Sequence, residues 1–187
     1  NEWKNFGVDG WNFEDVLKFF LKSENNEETN SYYHSQNGPL NISNLKSNHL
    51  LNEAFIDAST NFGLPKNNDF NGISQTGAGK VQAFQKKGLR QNTSSAFLKP
   101  IIKRVNLKVI SGVLINKLII KDSKVIGINV IYKNISKNFI SKGEVILSAG
   151  SIGSPMILQR SGIGDASLLK KNDIKVEVNN KAVGENL

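Results

Sequence analysis

The residues from Leu147 to Gly164, LSAGSIGSPMILQRSGIG, place a cluster of small side chains between an apolar run and a predicted helix. The small residues Ala149, Gly150 and Ser151 would let a ligand approach the backbone directly. A helix beginning at Ser154–Pro155 would present free N–H groups and a partial positive charge to the same ligand. This arrangement is typical of a dinucleotide or flavin site, but a tight packing turn without a ligand explains it equally well.

The composition of the chain limits which other kinds of site are possible. The 187 residues are 39% apolar and 21% charged, values typical of a globular rather than a disordered protein. Cysteine is absent, which excludes disulfides and thiolate metal sites. No stretch approaches the roughly 20 apolar residues of a membrane-spanning helix, so we expect no membrane span.

The net charge of +8 raises the prospect of a nucleic-acid or anionic-membrane partner. The lysines are scattered, however, with pairs such as Lys86-Lys87 and no run of five or six like charges. We therefore expect a solvated basic surface and no nucleic-acid partner. A basic nucleic-acid binder is the alternative, and a salt-dependent DNA titration would reveal it.

Two amphipathic helices are predicted in the first half of the chain. The segment GWNFEDVLKFFLKSEN forms the first, with Asn12 as its cap. The segment HLLNEAFIDASTNFGLP forms the second, and Gly63 is placed to close it. Residues 26–44 between them predict a polar loop. The apolar stripe of the second helix is expected to comprise Leu51, Ala54, Phe55 and Ala58.

Glycine-punctuated sequence follows, with a possible strand at residues 79–85. Thr93 is expected to cap a short helix over residues 94–98, and Pro100 to end it. Helix and loop then give way to strands near residues 95–105.

Residues 107–149 are rich in Val and Ile and predict four or five strands. Their short connections favour an antiparallel meander. The last strand does not alternate, which predicts burial on both faces. A helix after Ser154, a short helix capped by Asp165 and a strand at 174–179 complete a mixed α/β fold. The expected strands are about 107–111, 113–120, 124–133, 138–142 and 144–149.

Residues 150–164, GSIGSPMILQRSGIG, resemble the second signature of the glucose–methanol–choline (GMC) oxidoreductase family. The small residue, the Ser-Pro, the aliphatic positions and the closing Ser-Gly-Ile-Gly all match that pattern. GWNFEDVLKFFLKSENN, YYHSQNGPLNIS and DFNGISQTGAGK are similar to further family segments in order and spacing. The resemblance covers essentially the whole chain and is closest to arthropod glucose-dehydrogenase-like members.

The resemblance implies part of an FAD/NAD(P)-binding Rossmann-like domain with an antiparallel meander, over residues 99–187. Residues 1–98 would be part of the substrate-binding domain. The implied cofactor is FAD, the implied substrate a small alcohol or sugar, and the implied electron acceptor a quinone or oxygen. The hydride would pass from the CH–OH carbon to flavin N5.

The resemblance also assigns cofactor-binding positions. Ile115 matches the residue whose backbone meets the adenine, and Ala149 and Gly150 would lie beside the flavin, with Ser151 next to them. His34 and His49 are expected to be structural or surface residues. We therefore assign no catalytic residue and no metal ligand.

Two expected features of the family are not found in these residues. No G-x-G-x-x-G follows a predicted strand, because TGAGK at 76–80 lacks the spacing and the strand–turn–helix context. The catalytic histidine of the family would lie downstream of the final GENL. We therefore expect an internal fragment of an enzyme, or of a catalytically inactive homologue that binds or has a structural role. Localisation stays unassigned, although the resemblance favours an extracellular protein.

The missing phosphate fingerprint predicts that the 187-residue chain alone does not retain FAD. Purified chain is expected to be colourless after incubation with FAD and desalting. A bound-flavin absorption band that survives desalting would contradict this prediction.

Overall fold

The computed structural model describes residues 2–187 and divides the chain into two compact units. The first unit ends at Lys108, and the second comprises Val109–Leu187. Helices and strands are present in both units, which confirms the predicted mixed α/β class. No helix among residues 2–187 combines the length and apolarity that a membrane crossing requires.

The first unit contains three α-helices and a four-stranded sheet. The sheet has the order β1-β2-β3-β4, with β1 parallel to β2 and the other neighbours antiparallel. A π-helix and a 3₁₀ helix follow the sheet. The elements are α1 (Glu2–Asn5), α2 (Phe13–Ser23), β1 (Glu24–Asn26), β2 (Leu40–Asn44), α3 (Leu50–Asn61), β3 (Gln82–Lys86), β4 (Leu89–Arg90), the π-helix (Ser94–Leu98) and the 3₁₀ helix (Lys99–Ile101).

Capping residues set where the two long helices begin. The Asn12 side chain accepts the Asp15 N–H at 2.8 Å, as predicted for α2. The His49 ring accepts the Leu51 N–H at 3.2 Å at the start of α3. Gly63 adopts the left-handed φ of +108° after α3, which confirms its predicted role.

The predicted apolar stripe of α3 is wrong. Ile56 is the buried residue of this helix, whereas Leu51 and Phe55 are 70% and 72% exposed. Helical spacing identifies an apolar face but not the element that covers it. Within residues 2–187, Leu51 and Phe55 stay largely uncovered.

The predicted loop over residues 26–44 is also wrong, because β2 lies inside it and pairs with strands on both sides. This strand is held by side-chain amides rather than by an alternating apolar pattern. Asn41 is 1% exposed and donates to Glu27 at 2.8 Å and to the Gln85 carbonyl at 2.7 Å. Its N–H donates to Gln91 Oε1 at 2.9 Å. Because polar side chains stabilise this strand, its sequence has the polar composition that predicts a loop.

The short helix after β4 spans Ser94–Leu98, as predicted, but its capping residue and the role of Pro100 differ from the prediction. Asn92 rather than Thr93 caps it, since the Asn92 side chain accepts the Ser95 N–H at 2.9 Å. Pro100 does not end the helical stretch but lies inside the 3₁₀ helix. Proline is tolerated in a first helical turn because the N–H that it lacks has no partner there.

The second unit is built on a three-stranded antiparallel meander with the order β5-β6-β7. Two-residue turns at 122–123 and 133–134 connect the strands, and all four turn residues have positive φ. Such turns match the right-handed twist of a hairpin. The central strands of the predicted meander are confirmed as β5 (Leu114–Lys121), β6 (Lys124–Tyr132) and β7 (Ile135–Ile140).

The outer strands of that prediction, 107–111 and 144–149, are wrong. Both segments lack a paired neighbour among the described residues, and Ile146 is 84% exposed. A Val/Ile-rich run becomes a strand only when another backbone completes its hydrogen bonds. The pattern of side chains does not reveal whether that second backbone is available.

Helices and a small parallel pair complete the second unit. The last predicted strand shortens to β9 (Val178–Asn179), which pairs with β8 (Ile163–Gly164). Asp165 caps α5 as predicted, by accepting the Ser167 N–H at 2.7 Å and the Leu168 N–H at 3.1 Å. The remaining elements are α4 (Gly150–Arg160), β8 (Ile163–Gly164), α5 (Ala166–Lys171) and β9 (Val178–Asn179).

Gly162 ends α4 in the left-handed conformation, with φ of +87°. A Cβ at this position would overlap the Lys175 carbonyl oxygen. Gly162→Ala is therefore expected to destabilise the chain by more than about 1 kcal/mol, measured by urea unfolding.

Gly143→Ala is the matched control, because a Cβ there meets no atom within 4 Å and its φ is not positive. Its expected effect is within about 0.5 kcal/mol. Equal unfolding midpoints for the two variants would show that the Gly162 contact is unimportant.

Candidate functional site

The small-residue corner, defined as residues 149–153, lies at the first turn of α4. The helix begins at Gly150, four residues before the predicted start at Ser154. Ser154 therefore lies inside the helix, where its Oγ accepts the Ala149 N–H at 3.0 Å. This bond stabilises the entry into α4, and the positive φ of Gly150, +86°, lets the chain turn sharply.

The corner is open to solvent. Ala149, Gly150 and Ser151 are all exposed. A Cβ added at Gly150 would meet no atom within 4 Å, whereas one at Gly127 would overlap the Phe139 carbonyl oxygen. Gly150 is therefore required for its backbone conformation, and the space beside it is free for a ligand.

The backbone of the corner offers both donors and an acceptor. The first N–H groups of an α-helix have no partner within the helix, and they carry the positive end of its dipole. Pro155 has no N–H, so the Ser151 carbonyl, four residues earlier, lacks its usual helical donor. A ligand with anionic or hydrogen-bonding edges fits this combination.

A groove of about 530 Å³ runs along α4 from Ser151 to the segment Ala182–Leu187. Gln159 holds that segment beside the helix by donating to the Val183 carbonyl at 3.2 Å. The sequence suggested no site residue in this segment. The glycine at position 184 is the sequence signal that could have indicated close packing there. Its φ is +88°, and a Cβ at this position would lie 2.8 Å from Gln159 Nε2.

Ile115 lies on β5 rather than in the corner. It is half-buried and pairs with Val130 across the sheet. The hydrogen bond between β5 and α4 joins the Leu118 N–H to Ser161 Oγ at 2.8 Å, at the opposite end of α4 from the corner. The structure thus brings Ala149, Gly150 and Ser151 together and places Ile115 on the strand that packs on the same helix.

Asp165, which follows α4 and β8, is ionised because of its bonds to the helix that it caps. The Ser167 hydroxyl, followed by the N–H groups of Leu168 and Ser167, lowers the pKa of the Asp165 carboxyl. Asp165 is thereby kept ionised as the cap of α5. Residues 2–187 contain no cluster of three or more His, Asp or Glu that could hold a metal ion.

The two histidines both lie in the first unit. His49 caps α3 through its ring nitrogen. His34 is buried between Glu24 and Asp69. Both histidines make bonds that support the fold. That neither takes part in catalysis stays a prediction.

Comparison with known proteins identifies sequence relatives along the whole chain. It is 38% identical over 189 residues to the oxygen-dependent choline dehydrogenase of Photobacterium profundum, covering all of this chain and 33% of that protein. It is 35% identical over 185 residues to the mitochondrial choline dehydrogenase of Homo sapiens, covering 99% of this chain and 31% of that protein. The chain thus spans about a third of the length of these curated relatives.

A solved structure supports the same fold. An FAD-dependent oxidoreductase from Chaetomium thermophilum superposes with a TM-score of 0.90 at 24% identity, over 96% of this chain and 34% of that one. The family model for GMC oxidoreductases matches residues 1–187. The resemblance seen in residues 150–164 is therefore confirmed, and the chain belongs to the GMC oxidoreductase family.

Proposed function

We propose that this chain forms part of an FAD-dependent oxidoreductase that oxidises the CH–OH group of a small alcohol or sugar. Family membership and the choline dehydrogenase relatives support the reaction class. The FAD-dependent structural relative supports the cofactor. The observation that carries the proposal is the open corner at the start of α4.

The corner would contribute binding and orientation rather than proton transfer. Ala149 and Gly150 are exposed without large side chains, so the flat ring system of a flavin can lie against their backbone. The free N–H groups of the first turn of α4 would donate to its polar edge. Ser151 would complete the contact through its carbonyl, and Ile115 would meet the adenine from β5.

Bound FAD would supply a hydride acceptor at N5 for the alcohol carbon, with a quinone or oxygen as the proposed electron acceptor. The residues of this chain hold it in place, whereas the catalytic base is proposed to lie outside them. Residues 1–98 are proposed to belong to the substrate-binding domain and residues 99–187 to the cofactor domain.

We propose a choline-type alcohol as the substrate, in preference to a sugar. The bacterial and human relatives, 38% and 35% identical to this chain, are both choline dehydrogenases. The glucose-dehydrogenase-like assignment that the sequence resemblance implies is the alternative.

The two substrates can be distinguished in the complete gene product that contains this segment. We expect anaerobic choline to bleach the flavin absorption and glucose to leave it unchanged. Bleaching by glucose alone would favour the sugar alternative. A flavin-loaded protein that no alcohol or sugar reduces would instead support a catalytically inactive homologue.

Ala149→Leu tests the corner itself in the same complete protein. A leucine side chain would occupy space that the flavin requires, and overpacking of this kind costs about 1–3 kcal/mol. The dissociation constant for FAD is therefore expected to rise about 5- to 150-fold, measured by flavin fluorescence titration.

Ala54→Leu is the matched control, because Ala54 is also exposed but lies on α3 and lines none of the described grooves. Its FAD affinity is expected to equal that of the unmodified protein. If Ala149→Leu binds FAD as tightly as this control, the corner is not the flavin site.

A further inference from the structure

His34 is a buried titratable side chain that is bonded to two carboxylates, those of Glu24 and Asp69. The residue is 4% exposed. Its Nδ1 lies 3.0 Å from Glu24 Oε1, and its Nε2 lies 3.1 Å from both carboxylate oxygens of Asp69. The ring therefore connects β1 with the 65–79 loop, which lies between α3 and β3.

The two contacts together require two ring protons. A carboxylate only accepts hydrogen bonds, and a neutral imidazole has a single N–H. The ring can satisfy Glu24 and Asp69 at once only as an imidazolium. The Asn26 amide is 3.4 Å from Nδ1 and also donates to Gln82 Oε1 at 2.9 Å, so it does not replace either carboxylate contact.

Both carboxylates also accept backbone N–H groups. Glu24 Oε2 accepts the Ser35 N–H at 3.0 Å. Asp69 Oδ1 accepts the Asn71 N–H at 3.0 Å. The oxygens that face the ring are thus already placed as acceptors, which a ring N–H on each side satisfies.

The 65–79 loop is closed upon itself at its two ends. Asn67 donates its N–H to the Ala78 carbonyl at 2.9 Å, and Ala78 donates to the Pro65 carbonyl at 2.9 Å. The Asn67 side chain also donates to the Ser74 carbonyl at 2.8 Å. The loop is consequently a closed unit, and Asp69 connects it to β1 through the His34 ring.

We propose that His34 is an imidazolium in the folded chain and that it holds the 65–79 loop against β1 until a rise in pH removes one of its protons. The remaining proton would stay with Glu24, whose side chain is 13% exposed, compared with 36% for Asp69. Asp69 is the more hydrated partner and is bonded within the loop, so the loop is the segment released.

The direction of the titration agrees with this geometry. Burial lowers the pKa of His34, but the hydrogen bonds and charges of Glu24 and then Asp69 outweigh burial and raise it above the ordinary 6.5. Glu24 and Asp69 are the charged groups bonded to the ring in the described structure. Because the folded-state pKa is raised, the contribution to stability is complete below pH 6.5 and is lost as pH rises through the folded-state pKa.

The protonation state can be read directly by NMR, since the chain contains only two histidines. Imidazole ¹⁵N spectra of the 187-residue chain are expected to show His34 with both nitrogens still protonated at pH 6.5, the ordinary pKa of an imidazole. His49→Gln assigns the two signals. A His34 ring that has already lost one proton below pH 6.5 would overturn the proposal.

Loop release is measured by amide hydrogen exchange, expressed as protection factors so that base catalysis of exchange is removed. Protection in residues 65–79 is expected to fall above the His34 titration in the unmodified chain. His34→Gln is expected to lower the protection factors of residues 65–79 about tenfold or more at about pH 6, because the variant loses a hydrogen bond to a charged group. His49→Gln is the matched control and is expected to leave the loop protected.

Asp69→Asn provides a second variant in case His34→Gln does not fold. It removes the charge on the loop side while keeping the size of the side chain, so the His34 titration is expected to move to lower pH. An unchanged His34 titration in Asp69→Asn, or unchanged loop protection in His34→Gln, would contradict the proposed role of the imidazolium.

Discussion

The hydrogen bond from the Leu118 N–H to Ser161 Oγ is the constraint on which the second unit depends. β5 is an edge strand of its sheet, so a donor on its open side needs a partner from outside the sheet. Ser161, itself 8% exposed, supplies that partner from the end of α4 and donates in turn to the Ile157 carbonyl. This bond to the Leu118 N–H fixes where α4 lies on the sheet. It thereby also fixes the position of the corner at the other end of α4.

The first unit meets the same requirement by a different chemistry. Half of its buried residues among those described are polar, and Asn26 and Asn41 are the most enclosed of them at 0% and 1% exposed. Their amides both donate and accept, so they can complete the bonds of short strands that bury little apolar surface. Every buried side-chain nitrogen and oxygen among the described residues has a partner. This explains how an asparagine-rich sequence forms a sheet where an apolar pattern is absent.

Local signals in the sequence predicted the features that depend on a few adjacent residues. The caps at Asn12 and Asp165 and the helix ends at Gly63 and Gly162 follow from backbone and side-chain chemistry within one turn. The strands at 114–140 follow because their hairpin turns bring each one beside its neighbour in the chain.

Features that depend on distant residues could not be predicted in the same way. Residues 144–149 have the composition of a buried strand but lack a paired backbone among the residues described. Conversely, β2 has the composition of a loop but pairs with the backbones of β1 and β3. The predicted start of α4 is wrong for a different reason, because the bond that sets it is local but runs in the unexpected direction. The Ser154 hydroxyl bonds back to Ala149 across five residues, whereas a cap at the helix start would bond forward.

The corner can be assigned from these 187 residues because its conformation is set within a single turn, even though the chain spans about a third of its relatives' length. The Ala149–Ser154 bond and the left-handed Gly150 need no other segment to form. The extended residues before the corner, with Ile146 exposed, are the part that requires neighbouring strands. The conformation of the corner is therefore a local property of the sequence, whereas strand formation in the residues before it depends on a partner backbone.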